Sequence, residues 1–154
     1  MGTTFATVDD ILDFAIKGEE EAAAFYGDLA KRVDKPWMKD VFAGFAREEE
    51  GHKAKLLGVK KGKTLAPAKD KVKDLKIGDY LVDVDTGDPA TLDYQQALVI
   101  AMKKEKAAFK LYIDLASKAT DAGLRELLTG LAEEEAKHKL RFEIEYDEFV
   151  LKDN

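Results

Sequence analysis

Apolar residues recur along this chain in a three-four alternation, the period of a helix with one buried face. The first run reads Leu12, Ala15, Ala22, Tyr26, Leu29 and Val33; the second has Phe42, Phe45 and Leu56. A third reads Leu98, Ala101, Ala108, Tyr112, Leu115 and Ala119, and a fourth Leu128, Leu131 and Phe142. The spacing predicts four helices. The first starts near Thr7, where Thr7 and Asp10 resemble a capping box. After the turn Asp34-Lys35-Pro36, the second runs from Trp37 to about Leu57, with Gly58 or Gly62 as its stop. The third spans about Leu92 to Lys118. The fourth follows Asp121 as N-cap and continues, or breaks into a tail, through Phe149.

Between about residues 59 and 93 the helical period is lost. Lysines gather there (Lys60, Lys61, Lys63, Lys69, Lys71, Lys73, Lys76) with Pro67, Gly78, Gly87 and Pro89. Tyr80-Leu81-Val82-Asp83-Val84 reads as a short extended piece or a packed loop. Such a length suits one crossover running along a bundle. The lysines read as a solvated connector; a docking patch for an acidic redox partner is the other reading.

Six polar residues interrupt the apolar stripes. Glu19 falls between Ala15 and Ala22; Glu49 and His52 lie between Phe45 and Leu56; Glu105 precedes Ala108; Glu135 and His138 precede Phe142. A carboxylate on a core face is costly unless something compensates it. Glu20 and Glu21 fall off the stripe and read as solvated. Both histidines of the chain stand three residues after a stripe glutamate, so each pair shares one helix face.

An offset of 86 carries Leu12 to Leu98, Ala15 to Ala101, Glu19 to Glu105, Tyr26 to Tyr112, Glu49 to Glu135 and His52 to His138. The chain therefore reads as two related helical hairpins joined by a long crossover, one all-α domain over residues 1–154. Across their approximate two-fold axis the repeated residues meet. Four ionised glutamates in a core are prohibitive alone, and two divalent ions balance them. Two Glu-x-x-His helices with one glutamate from each of two others form a dinuclear carboxylate site in such bundles. Carboxylate and imidazole suit iron or manganese, so Glu19, Glu49, His52, Glu105, Glu135 and His138 are the candidate ligands of two metal ions. Tyr26 and Tyr112 lie two turns beyond Glu19 and Glu105. They read equally as hydroxyls steadying ligand carboxylates and as core packing. Glu48 and Glu134 read first as a solvated face and second as carboxylates that orient the histidines. Trp37 and Met38 read as packing.

Composition narrows the function classes. With 45% hydrophobic residues in 154, the chain has the means to bury a core. A net charge of −6 argues against nucleic-acid binding, which needs a basic surface. There is no cysteine, which excludes disulfides, thiolate catalysis and cysteine-held zinc or iron within this sequence. The segment Met1–Ala6 lacks a signal-peptide pattern and a myristoylation pattern. No apolar run approaches the ~18 residues of a membrane span. The expectation is a soluble cytoplasmic protein.

The sequence resembles the ferritin-like superfamily and, within it, the rubrerythrin family's di-iron domain. Glu19 with Tyr26, Glu49-x-x-His52, Glu105 with Tyr112, and Glu135-x-x-His138 carry the resemblance. It implies a ferritin-like four-helix bundle, a di-iron centre and reduction of hydrogen peroxide, with electrons from an external protein such as a rubredoxin. It also implies a homodimer. Two departures stand out. Rubrerythrins commonly carry a four-cysteine rubredoxin-type site, for which this sequence has no cysteine. They also commonly have an extra glutamate three residues after the third-helix ligand, where Ala108 stands. The remaining symmetric set also resembles bacterioferritin-type ferroxidase centres, which keeps oxidation of iron by O₂ as an alternative. A redox-silent metal-binding or structural bundle is a third.

Overall fold

The computed structural model describes residues 8–62, 93–119 and 121–151. They form α1 (Val8–Arg32), α2 (Pro36–Gly62), α3 (Tyr94–Lys118) and α4 (Ala122–Tyr146), and a π-helical turn, Asp147–Leu151, extends α4. Thr7 of the expected capping box, the Tyr80–Val84 piece and all the connector lysines beyond Lys61 lie outside the described residues.

Local chemistry sets the helix ends. At α3 the first helical residue is Tyr94, because Asp93 is the cap. Its carboxylate accepts from the Gln96 N–H at 2.7 Å, and the Gln96 side chain accepts from the Asp93 N–H at 3.0 Å. At α4 the Asp121 carboxylate accepts from the Leu124 N–H at 3.0 Å. Helix α2 runs past Leu57 and Gly58 and ends at Gly62, the second of its two expected stops. A mid-helix glycine costs about 1 kcal/mol against alanine. Burial of Leu56 and Val59 on either side of Gly58 offsets that, and the Lys60 ammonium pairs with Asp13 of α1.

The connection between α1 and α2, residues 33–35, is short, so the two helices fold back on each other. Helices α3 and α4 do the same, and the hairpins meet through α1 with α3 and α2 with α4. Two apolar layers result. One joins Ile11, Leu12, Leu56, Leu111, Leu115, Leu128 and Leu131. The other joins Tyr26, Leu29, Met38, Phe42, Leu98 and Phe142. Each large side chain so buried contributes about 1.5–3 kcal/mol. On every helix the stripe glutamate falls between these layers, so a polar stratum is sealed from both ends of the bundle.

Met38 is fully buried, as its place in the pattern implies, but Trp37 is 52% exposed. Its indole Nε1 donates to Glu145 at 3.0 Å instead. Glu145 is a buried carboxylate that also accepts from the Tyr94 hydroxyl at 2.6 Å. It thereby ties the starts of α2 and α3 to the end of α4. No described helix is long and apolar enough to cross a membrane.

Candidate metal centre

All six stripe residues are buried, and they converge. Their donor atoms form two groups, each with all atoms within 4.8 Å of one another: Glu19, Glu49, His52 and Glu135, and Glu49, Glu105, Glu135 and His138. Glu49 and Glu135 belong to both. The half-sites therefore interlock: the Glu-x-x-His motif of each hairpin serves its own group and lends its glutamate to the other.

The imidazoles present Nδ1 inward. His52 Nδ1 stands 2.8 Å from Glu135 Oε1, 3.3 Å from Glu49 Oε1 and 3.6 Å from Glu19 Oε2. His138 Nδ1 lies 3.4 Å from both Glu49 Oε1 and Glu105 Oε1. The outward nitrogens are held across the bundle. His52 Nε2 contacts Glu134 Oε2 at 2.7 Å, and His138 Nε2 contacts Glu48 Oε2 at 3.0 Å. Of the two readings of Glu48 and Glu134, the contacts match the second, in which they orient the histidines. Their side chains are 50% and 42% exposed, yet each reaches a buried ring of the opposite hairpin. The signal was present, since Glu48 and Glu134 lie on the same 86-residue offset as the motifs they precede. A ring N–H bound to a carboxylate fixes the tautomer and leaves Nδ1 available to a cation. Phe45 stacks on His138 with centroids 3.8 Å apart and steadies its plane.

Both tyrosines combine the two readings of their position. Their rings pack in the core, and their hydroxyls bond across the pseudo-axis to stripe carboxylates. Tyr26 donates to Glu105 Oε1 at 2.5 Å, and Tyr112 donates to Glu19 Oε1. Ala108 is partly buried against the core and offers no donor atom.

Burial and crowding split the carboxylates. Desolvation pushes Glu19 up to about 8, against the opposing pull of His52. Desolvation also drives Glu135 well up, with Glu105 beside it adding to the rise. Glu49 feels the same desolvation, but contacts with His138 and His52 outweigh it and hold its carboxyl below the usual range. Burial alone would lower the histidines. Glu19 and Glu49 overcome it at His52, which rises to about 11, and Glu105 and Glu49 do so at His138, which rises to about 10. Both tyrosine hydroxyls are held protonated, by burial first and then by nearby carboxylates.

The donor set fits metal ions on one further observation. Seven buried atoms have no hydrogen-bond partner among the described residues: Glu19 Oε2, Glu49 Oε1, His52 Nδ1, Glu105 Oε2, both oxygens of Glu135 and His138 Nδ1. Several lie within ion-pairing range of one another without forming a hydrogen bond. Each unpaired buried polar atom costs about 1–3 kcal/mol, and such atoms are normally rare. A cation at each group of four satisfies them together.

The comparisons agree with this geometry. A structure from Thermotoga maritima, described as a ferritin-like diiron-carboxylate protein, superposes with a TM-score of 0.81 at 22% identity, covering 96% of this chain and 98% of its own. A hypothetical protein from Pyrococcus furiosus superposes with a TM-score of 0.69 at 21% identity, covering 89% and 86%. The first of these likenesses shows the ferritin-like fold. None of the curated proteins compared matches the chain. The rubrerythrin family profile matches residues 10–146, which takes in all six converging residues and both tyrosines. Buried Glu-x-x-His pairs that interlock inside a ferritin-like bundle, with this match across nearly the whole chain, place it in the rubrerythrin family.

Proposed function

We propose that the chain is a non-haem di-iron carboxylate oxidoreductase that reduces hydrogen peroxide to water with electrons from an external donor protein. The observation that carries this reading is the sharing of Glu49 and Glu135 between two adjoining donor groups. Shared carboxylates are what a pair of ions needs, and one ion alone would leave half of the buried donors unsatisfied. Glu19 with His52, and Glu105 with His138, are the unshared ligands. When bound, two iron(II) ions supply the two electrons that, with two protons, convert one hydrogen peroxide to two waters. A rubredoxin-type protein in solution returns those electrons. Manganese suits the same donors.

The chain's own residues orient and enclose. Glu134 and Glu48 hold the Nε2–H of His52 and His138. Tyr26 and Tyr112 hold one oxygen of Glu105 and Glu19 and leave the other to bind. The apolar layers exclude water from both ends of the stratum. Anaerobic stopped-flow mixing of the iron(II)-loaded protein with peroxide tests the assignment. Oxidation by peroxide faster than by O₂ is expected; oxidation no faster than by O₂ would overturn it.

One observation favours a second reading. Ala108 removes the seventh carboxylate usual in the family and leaves a symmetric six-residue set. Such a set suits oxidation of iron(II) by O₂, for which iron(II) turnover far beyond two per chain is the signature. Light scattering distinguishes the homodimer expected of the first reading from a large cage.

A further inference from the structure

The repeat makes the hairpins alike, so places where they differ are informative. A groove of about 360 Å³ runs over the seam of α1 and α2, lined by Glu20, Ala23, Ala24, Ala46, Arg47 and Glu50. Its floor is made of methyl groups. Ala23 stands four residues after Glu19 and Ala46 three before Glu49, each one turn from a carboxylate of the centre on the same helix face. On the other hairpin the residue equivalent to Ala23 is Phe109, whose ring packs against the core. The first hairpin thus carries a methyl group where the second carries an aromatic ring.

The rim suits an uncharged polar solute. Glu20 is paired with Lys53 at 2.9 Å. Arg47 and Glu50 bring opposite charges to the same wall. An anion or cation meets a repelling group there, whereas a small neutral molecule finds donors and acceptors. We infer that this groove is the port by which hydrogen peroxide reaches the buried carboxylate–histidine cluster, an inference that rests on the peroxide-reducing reading above.

The experiment narrows the groove from its exposed rim. Ala24→Trp places a bulky ring over it, and Lys110→Trp, at the equivalent exposed site of the other hairpin, is the control. Iron stoichiometry is measured first. Then the rate of azide binding to the iron(III)-loaded protein and the rate of oxidation by peroxide are followed. Ala24→Trp should slow both by about tenfold or more, with two irons still bound, and Lys110→Trp should leave both unchanged. Unchanged rates in Ala24→Trp, or equal slowing in the two variants, would overturn the port. Should Ala24→Trp fail to fold, Arg47→Trp on the facing wall carries the same expectations. Failure of the unaltered protein to bind two irons, or to react with peroxide, would instead contradict the functional reading.

Discussion

Loading the centre with metal should expel protons in a countable number. Before metal binds, His52 and His138 hold their protons up to about 11 and about 10. Glu19 keeps its proton up to about 8, and burial keeps Glu135 protonated well above the usual range. All four residues are candidate ligands and bind a cation only when deprotonated. Two divalent ions therefore replace four protons, an exchange that leaves the charge of the buried stratum unchanged. That is two protons per ion, so the average apparent Kd should fall about 100-fold per pH unit near neutrality, or about 2.7 kcal/mol per ion. Above about pH 8 the Glu19 proton is already lost and the dependence should flatten. Calorimetric titration with manganese(II), which avoids redox chemistry, in buffers of different ionisation enthalpy reads the proton count directly. About four protons per two ions is expected. A count near zero, or an affinity that does not change with pH, would refute the coupled cluster.

Other consequences follow from the same contacts. Glu134→Gln or Glu48→Gln should lower metal affinity about 10–100-fold while leaving the fold intact, since each fixes a histidine tautomer; unchanged affinity in equilibrium dialysis would remove their positioning role. Without metal, the protein should lose thermal stability as pH rises. The raised histidines stabilise fully below their ordinary value near 6.5 and lose that contribution as pH climbs through about 10 and 11. Glu19 adds the same sign between its ordinary value and about 8. The metal-loaded form should show little such slope, and a melting temperature that rises with pH in the metal-free form would contradict the signs. Leu56→Ala, in the core one turn beyond His52, should cost about 2–5 kcal/mol in chemical denaturation; a cost below about 1 kcal/mol would mean the layer below the centre is not tightly packed.

Much of the site was legible because burial leaves a periodic trace. Glu19, Glu49, Glu105 and Glu135 stand out in the sequence as charges where the three-four alternation asks for apolar residues, and the structure buries all four. The 86-residue offset showed which positions face one another. Contacts of off-stripe residues were less legible. Glu48 and Glu134 lie beside the stripe, and only the crossing of α2 with α4 brings them to the histidines of the opposite hairpin. Glu145 continues the α4 stripe after His138 and Phe142, so its burial was readable. Its partners Trp37 and Tyr94 come from other helices at positions no local pattern specifies. Two glycines could have stopped α2, and the helix passes Gly58 to end at Gly62 because glycine's intrinsic cost at Gly58 is smaller than the gain from burying Leu56 and Val59.

Anaerobic titration with iron(II), counting tightly bound ions per chain, tests the shared-carboxylate centre most directly. The unaltered protein should bind two. Glu49→Ala, which removes a ligand common to both groups, should weaken both sites together, whereas Glu19→Ala should weaken the His52 site and spare the His138 site. A single tight ion in the unaltered protein, or two retained in Glu49→Ala, would contradict the account.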